Sequence, residues 1–360
     1  MTFEIVNQAT GKAIVIPEDM ARGFFGASKD TKRIVCLPCS KEVEIEPGKK
    51  ANIYEVREFV RKKKVKGTLV IRMGGLGDLI MLSSGLREMV RRGETVTIAT
   101  LPHHVDFMAS LKIGKVIEVQ DIGRYSFDKV IDLRFAVEPK ELGQTCKGTW
   151  ADYTTKDRSD AFDELLRVYP ARKRFEIPVN PGSVKKIAGL LPTGKLVSIN
   201  ACMIASARSI PPKHILPICR QAVKELGVTV ALFGSSQPWN RKLKDISIKG
   251  VVNLIDKTTL DEMIALISLS DVVVSPDTGS LHVAAALGKK TVALFGNINP
   301  RTRISYYPTI RPLYAQGETP CAPCWDLHPC SSDPGKSVKC MELLTPDRVV
   351  NAIRTTGGYE

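Results

Sequence analysis

The chain has 360 residues, of which 43% are hydrophobic and 25% are charged, and this composition excludes a wholly disordered protein. The 52 lysines and arginines outnumber the 38 acidic residues, giving a net charge of +14 that predicts an anionic partner: nucleic acid, an acidic membrane surface or a phosphorylated substrate. No apolar run approaches the roughly 18 residues that a membrane span needs, and the N-terminus lacks the apolar core of a signal peptide. We therefore expect a cytoplasmic protein, or one that is peripheral at the inner membrane.

Residues 1–66 are predicted to form a small β-rich appendage, because short β-like runs alternate there with glycine, proline and aspartate. The strands are expected at residues 3–6, 13–16, 33–37 and 43–45. The appendage ends in a basic cluster that contains Arg57, Arg61, Lys62, Lys63, Lys64 and Lys66. This cluster is interpreted either as the solvated face of a helix or as a contact for an anionic surface.

From Thr68 onward, short apolar runs alternate with helical patterns, which predicts parallel sheets with helical crossovers. The Pro/Gly-containing stretch 178–181 is interpreted as a linker, so residues 67–178 and 179–360 are expected to form two domains. The predicted strands are 68–73, 95–100, 116–119, 129–133, 196–200, 229–233, 251–254, 272–275 and 291–295. The predicted helices are 79–92, 160–168, 213–226, 260–269, 281–287 and 346–354. The fold class is therefore α/β, with two Rossmann-like domains facing a cleft.

A glycine-rich turn follows the first strand of this pattern, at Arg72-Met73-Gly74-Gly75-Leu76-Gly77-Asp78. Gly75 and Gly77 allow close approach to a ligand at the carboxyl end of a strand. Ile80 stands where a dinucleotide fingerprint needs its third glycine, and no Gly-Lys-Ser/Thr follows, so neither nucleotide-binding fingerprint is complete. Asp78 is either a general base for a hydroxyl nucleophile or the N-cap of the next helix.

A second motif joins the buried strand at 272–275 to a small-residue helix: Asp277-Thr278-Gly279-Ser280-Leu281-His282-Val283-Ala284-Ala285-Ala286-Leu287-Gly288. The start of such a helix presents N–H groups and a positive dipole end, so it is a candidate anion site to which Thr278 and Ser280 add hydroxyls. The alternative is that Asp277 or Thr278 is only a cap and that His282 is a buried structural histidine. Arg208, in the loop after the strand at 196–200, is a candidate phosphate clamp or a surface arginine.

Four cysteines lie close together near the C-terminus, in the Cys-rich loop at residues 320–341, at Cys321, Cys324, Cys330 and Cys340. Their spacing, which begins with C-x-x-C, predicts a metal-binding loop for structural iron or zinc. The alternative is a group of reduced thiols.

Together these motifs resemble glycosyltransferase family 9, the ADP-heptose:lipopolysaccharide heptosyltransferases and their relatives. The resemblance is carried by residues 71–78, 277–288 and 291–300, and it continues in the cysteine segment and at Leu344-Thr345-Pro346-Asp347-Arg348-Val349. It implies a GT-B fold and an inverting transfer from a nucleotide-activated sugar, with no catalytic metal. It also implies that Asp78 is the general base.

The same resemblance implies the residues that hold an ADP-sugar donor. Arg208 would contact the diphosphate, and Asp277 would bind hydroxyls of the donor sugar. Thr278, Gly279 and Ser280 would bind the phosphates, and His282 matches the family histidine.

The identity of the acceptor stays open in the sequence. The resemblance implies lipopolysaccharide core or a related glycan. The appendage and the four cysteines look somewhat like the autotransporter heptosyltransferases, which modify proteins and bind iron. The basic cluster is also consistent with a GT-B protein that binds or modifies nucleic acid, although the low content of aromatic residues, 6%, disfavours this alternative. An NAD-dependent oxidoreductase is disfavoured by the incomplete glycine fingerprint.

Overall fold

The computed structural model describes residues 2–7, 13–17, 54–58, 63–134, 136–137, 155–202, 208–315, 317–324 and 338–359, and for the first three ranges it describes the backbone alone. Within these ranges the chain divides into two compact units. One unit comprises Met1–Gly74 and Met89–Arg134, and the other comprises Gly75–Glu88 and Phe135–Glu360. The three domains predicted from the sequence, with boundaries after residues 66 and 178, remain a prediction.

The described part of the first unit contains two sheets. The strands β1 (Thr2–Asn7), β2 (Ala13–Pro17) and β3 (Tyr54–Glu58) form an antiparallel sheet in the order β2-β1-β3. The strands β4 (Lys63–Ile71), β5 (Val96–Thr100), β6 (Lys115–Glu118) and β7 (Tyr125–Asp132) form a parallel sheet in the order β6-β5-β4-β7. The β-rich character of the appendage is thus confirmed for β1 and β2, whereas the predicted strands at 33–37 and 43–45 lie outside the described residues.

The basic cluster was expected to lie on a helix if it is a solvated face, and that expectation is wrong for its described part. Tyr54–Glu58 and Lys63–Ile71 are strands, and the side chains of Lys63, Lys64 and Lys66 are exposed. Arg61 and Lys62 lie outside the described residues. Extended backbone is favoured here because β4 pairs with β7 from Lys63 onward.

The second unit is built on a six-stranded parallel sheet in the order β10-β9-β8-β11-β12-β13. Its strands are β8 (Leu196–Cys202), β9 (Thr229–Gly234), β10 (Val251–Asn253), β11 (Val272–Pro276), β12 (Lys290–Phe295) and β13 (Ile310–Tyr314). Strands β8 and β11 are buried along their whole length, as the apolar runs predict for central parallel strands. Strands β9 and β10 lie on one side of β8, and the next strand in the sequence, β11, lies on its other side.

The described ranges contain ten α-helices. They are α1 (Leu76–Arg91), α2 (Val105–Ser110), α3 (Arg158–Leu166), α4 (Pro181–Ala188), α5 (Pro212–Leu226), α6 (Leu260–Leu269), α7 (Gly279–Ala286), α8 (Arg301–Ile304), α9 (Lys339–Glu342) and α10 (Pro346–Gly357). Among the described residues, no helix combines the length and the apolar composition needed to cross a bilayer. Helix α4 was not predicted: it begins inside the expected linker, where the Asn180 side chain accepts hydrogen bonds from Gly182 and Ser183 and Pro181 occupies the first turn.

One strand and one helix begin earlier than the sequence predicts. Strand β4 begins at Lys63, earlier than the predicted Thr68, and helix α1 begins at Leu76, earlier than the predicted Leu79. Asp78 therefore lies inside the first turn of α1 and is not its N-cap. The side chain of Arg72, after β4, is buried and donates to the Leu133 carbonyl oxygen at 2.8 Å, which gives it a structural role.

Candidate active site

The order of the six-stranded sheet creates the site in the second unit. Strands β8 and β11 are neighbours, and the chain leaves them toward opposite edges of the sheet. Such a switch point opens a crevice at the carboxyl ends of the strands, where α/β proteins bind ligands. The loops after β8, β9 and β11 meet there and line a cavity of about 650 Å³.

Residues from both sequence motifs line this one cavity. The predicted site residues among them are Gly75, Gly77, Asp78, Arg208, Asp277, Thr278, Gly279, Ser280 and His282. All of them belong to the second unit, because the first turns of α1 group with residues 135–360. The structure therefore brings together residues that are some 200 positions apart in the sequence.

Glycines allow α1 and α7 to approach each other at their N-terminal ends. A Cβ on Gly77 would lie 2.4 Å from Cδ2 of His282, and a Cβ on Gly279 would lie 3.0 Å from Cβ of Leu76. Any larger residue at position 77 would displace the imidazole ring or the helix. By contrast, a Cβ on Gly75 would meet no atom within 4 Å. The close approach that the glycine-rich turn suggests is therefore needed at Gly77.

Asp78 is paired with an arginine that the sequence did not single out. Arg158, in the first turn of α3, donates to Oδ1 of Asp78 at 2.8 Å. The two side chains are only 18% and 12% exposed, respectively, so solvent screens the pair weakly. A nearby cation favours the carboxylate form of an aspartate. Asp78 thus lies in the cavity wall beside a cation, where it can accept a proton.

Asp277 lies at the centre of a buried group of charges. Its Oδ2 is 3.5 Å from Nε of Arg303 and 3.7 Å from a guanidinium nitrogen of Arg208, and its Oδ1 is 4.0 Å from Nε2 of His282. Burial alone would raise the pKa of Asp277, but the charges of Arg303 and Arg208 outweigh it and lower the pKa. Oδ2 of Asp277 makes no hydrogen bond within the described part of the chain. Asp277 lines the cavity, so its carboxylate suits a hydrogen bond from a ligand hydroxyl.

His282 is uncharged in this setting. Burial lowers its pKa to about 4, although Asp277 acts in the opposite direction. Its Nδ1 is 3.1 Å from the Tyr307 hydroxyl, and burial raises the pKa of that hydroxyl well above its usual value. The His282 ring is therefore held as a neutral imidazole between Tyr307 and Asp277.

The start of α7 combines a cap with a hydroxyl network. Thr278 is the N-cap, and its Oγ1 accepts from the N–H of Ser280 at 3.1 Å. The buried Ser280 hydroxyl is 2.8 Å from Nδ2 of Asn200 and 2.8 Å from the Ser275 hydroxyl. Because these neighbours already engage Ser280, the backbone and dipole of α7 are left as the means of holding an anion.

Arg303 was also missed in the sequence, although it follows the stretch 291–300 directly. It lies in α8, its side chain is 6% exposed, and burial lowers its pKa to about 10, so it stays charged at neutral pH. The cavity wall thus carries three arginines, at positions 158, 208 and 303, and two carboxylates. This excess of positive charge favours an anionic ligand.

The four cysteines are only partly described. Cys321 and Cys324 are half-buried, Cys340 is buried, and Cys330 lies outside the described residues. Cys324 and Cys340 both lie close enough to Tyr314 to influence its pKa, which burial raises to about 12. In the described ranges no three metal-ligating side chains are placed to hold a metal ion. The described cysteines therefore do not form a metal site by themselves.

The sequence and the structure were compared with those of known proteins, and both resemble heptosyltransferases. Residues 219–328 match the family model for glycosyltransferase family 9 (heptosyltransferase). Lipooligosaccharide heptosyltransferase 2 of Campylobacter jejuni is 31% identical over 112 residues, which are 31% of this chain and 34% of that protein. The sequence alignment thus spans about a third of the length of this curated relative.

The structural match extends further than the sequence match. The structure of E. coli ADP-heptose lipopolysaccharide heptosyltransferase II superposes with a TM-score of 0.61 and 17% identity over 81% of this chain and 98% of that one. The iron-containing dodecameric glycosyltransferase TibC from enterotoxigenic E. coli superposes with a TM-score of 0.59 and 14% identity over 99% of this chain and 92% of that one. The predicted GT-B fold is thereby confirmed. The chain has the fold of the family 9 heptosyltransferases, and its residues 219–328 match that family in sequence.

Proposed function

We propose that this protein is an inverting glycosyltransferase that moves a heptose from an ADP-heptose donor to a hydroxyl group of an acceptor. One observation carries the proposal. A single cavity is lined by Asp78, by the start of helix α7 and by the arginines Arg208 and Arg303. A displacement at an anomeric carbon needs a base for the incoming hydroxyl and cations for the departing diphosphate.

Asp78 accepts the proton of the acceptor hydroxyl. The oxygen attacks the anomeric carbon while the bond from that carbon to the diphosphate oxygen breaks, which inverts the configuration in one step. Arg158 favours the carboxylate form of Asp78 and fixes the orientation of this side chain. The proton ends on Asp78, and the bonding electrons leave with the nucleoside diphosphate.

The leaving diphosphate is stabilised by the N-terminal end of α7 together with Arg208 and Arg303. These groups are fixed before the reaction, so little reorganisation is needed as negative charge develops. Asp277 accepts hydrogen bonds from hydroxyls of the donor sugar through its carboxylate, whose Oδ2 makes no hydrogen bond among the described residues. The protein thus supplies the positive charge itself, and no catalytic metal is assigned to the reaction.

The nucleoside is placed against an apolar part of the cavity. Leu260 and Met263, one turn apart on α6, line it together with Phe233 and Cys202. Burial raises the pKa of the Cys202 thiol to about 12, so this cysteine acts as an apolar neighbour and not as a nucleophile. A flat purine base fits such a surface better than a charged group does.

Lipopolysaccharide core is the first candidate acceptor, because the matched curated relatives are lipooligosaccharide and lipopolysaccharide heptosyltransferases. A protein acceptor is the second candidate, as the likeness to autotransporter heptosyltransferases suggests. It is favoured by one observation: the superposition on TibC covers 99% of this chain, whereas that on heptosyltransferase II covers 81%. The difference is about the size of the appendage.

The four-cysteine loop is proposed to hold iron or zinc, as its spacing suggests and as the iron-containing TibC supports. Cys321, Cys324, Cys330 and Cys340 would be the ligands, and the metal would stabilise the loop. Because the described cysteines do not gather by themselves, no step of the reaction is routed through this loop. We also propose that the basic cluster associates with an anionic membrane surface, because its lysines and arginines would attract negatively charged lipid headgroups.

The proposed function is tested by supplying the purified protein with ADP-heptose and lipopolysaccharide core and measuring ADP release and the mass of the acceptor. We expect one heptose to be added for each ADP released, and no transfer from UDP-heptose at the same concentration. Arg208→Met and Arg303→Met should each weaken ADP binding by about tenfold or more, because each removes a charge-assisted contact. Failure of ADP to bind the wild-type protein would refute the donor assignment.

A further inference from the structure

A second cavity of about 660 Å³ lies in the same unit, beside helix α3. Its walls come from α3, from the segment that follows α3 at residues 169–173, and from the residues after α8. None of the roles proposed above uses this cavity.

The second cavity is lined by polar side chains that bond to one another, and among the described residues Oδ1 of Asp163 makes no hydrogen bond. Nζ of Lys173 is 2.8 Å from Oδ1 of Asp160 and also bonds to Asp163, and the Lys173 side chain is only 8% exposed. The Tyr306 hydroxyl donates to Asp160 at 2.9 Å, while Nζ of Lys173 lies 4.9 Å from the centre of the Tyr306 ring. These contacts fix the positions of several hydrogen-bonding groups in advance.

The rim of the second cavity has a different chemistry. Tyr169 is 71% exposed and Tyr306 is 43% exposed, so two aromatic rings face solvent at one opening, next to Pro170 and Pro308. Arg172 is exposed at the same rim, and within the described ranges it has no ion-pair or hydrogen-bond partner. An exposed tyrosine offers an apolar face and a polar tip to a ligand.

This combination suits a sugar that carries a negative charge. The C–H face of a sugar ring is apolar and packs on an aromatic ring, whereas its hydroxyl groups need fixed donors and acceptors such as Asp160 and Lys173. The planar guanidinium of Arg172 matches a carboxylate or a phosphate through two parallel hydrogen bonds.

The second cavity adjoins the first one along a common wall. Arg158 lines the first cavity and Asp160 the second, and they are two residues apart in the first turn of α3. Likewise, Arg303 lines the first cavity and Tyr306, three residues later, lines the second. The two segments are joined where the N–H of Ser305 donates to Asp157 at 3.2 Å. A chain of sugars with its reacting hydroxyl at Asp78 could therefore reach the second cavity.

We propose that the second cavity binds an anionic sugar of the acceptor, one that is remote from the reacting hydroxyl. This inference rests on the proposed glycosyltransferase function for its purpose, but its binding chemistry can be tested separately. Arg172 and Tyr169 are the residues that would determine specificity.

The test is a binding titration of the full chain, monitored by ligand-observed NMR, with three probes: a hexuronic acid, a hexose 6-phosphate and the neutral hexose. We expect at least one of the two anionic sugars to bind saturably and more tightly than the neutral hexose. Arg172→Gln and Tyr169→Ala should each weaken that binding on the order of tenfold. Arg354→Gln, which removes an exposed arginine paired with Glu225, is the matched control and should leave it unchanged.

The proposal is overturned if no probe binds saturably to the wild-type protein, or if Arg172→Gln binds the anionic sugars as well as the wild type does. ADP is titrated against the same variants to separate the two claims. Unchanged ADP affinity together with weakened sugar binding supports the second site. If ADP does not bind the wild-type protein, the donor assignment is contradicted. The sugar titration then still tests the second cavity.

Discussion

The ion pair between Arg158 and Asp78 is the contact in the cavity on which acid–base behaviour depends most directly. Arg158→Met removes the cation beside the proposed base, so the carboxylate becomes easier to protonate. We expect the acidic limb of the profile of kcat/KM against pH to move upward, with kcat reduced. ADP affinity should fall less than kcat does.

Arg354→Met is the control for that measurement, because it removes an arginine of the same size from an exposed ion pair with Glu225. Its pH profile should match that of the wild type. A merely structural Arg158 would show the reverse pattern: a lower melting temperature with the acidic limb unmoved. Arg158→Lys should restore part of the wild-type profile, since it keeps the charge but not the planar fork.

The buried His282 makes folding stability depend on pH. Its folded-state pKa of about 4 lies below the ordinary value of 6.5, so between these values the unfolded chain binds more protons. Stability should therefore be lost as the pH falls from about 6.5 toward 4. The free energy of unfolding, measured with denaturant, should fall between pH 7 and pH 5 in the wild type. In His282→Gln this fall should be smaller by roughly 1 to 3 kcal/mol. Equal pH dependence in both proteins would contradict the neutral, buried assignment.

At the scale of secondary-structure elements, the contact between the starts of α1 and α7 is the most sensitive to size. Gly77→Ala would place a methyl group 2.4 Å from Cδ2 of His282, so the helix starts must separate or the imidazole must move. We expect a loss of about 1 to 3 kcal/mol in the free energy of unfolding. Gly75→Ala is the matched control: its Cβ would meet no atom within 4 Å, so the melting temperature should stay close to that of the wild type. Equal melting temperatures for the two variants would contradict the close approach.

The elements that could be predicted are those with a local signal. Strands β8 and β11 are apolar runs, and Asp277, Thr278 and Gly279 stand at a strand-to-helix junction where ligands bind. Strand β13 was missed because Pro312 interrupts it, and the structure shows why proline is tolerated: β13 is an edge strand, bonded on one side only.

Arg158 and Arg303 could not be predicted as site residues, because only the tertiary fold gives them their partners. Arg158 is 80 positions from Asp78 in the sequence, on a helix whose pattern is ordinary. Arg303 lies in a helix of four residues, too short to show a periodic signal. The sole available hint was the position of Arg303 directly after the stretch 291–300.

At the scale of the whole molecule, the four-cysteine loop predicts that the purified protein carries a metal. We expect about one iron or zinc per chain by elemental analysis, and loss of that metal in Cys321→Ser and Cys330→Ser. Cys219→Ser is the control, because Cys219 is a buried residue of α5 and lies far from the loop in the sequence. A wild-type protein without metal, or a metal content unchanged in both loop variants, would contradict the proposed ligands.

The central claim for the whole molecule is that Asp78 accepts the proton of an acceptor hydroxyl during transfer from ADP-heptose. The most direct test is single-turnover transfer to lipopolysaccharide core by the wild type and by Asp78→Asn, measured by the mass of the acceptor. The account predicts that Asp78→Asn binds ADP like the wild type and transfers heptose at least about a hundredfold more slowly. Transfer by Asp78→Asn at the wild-type rate would contradict it.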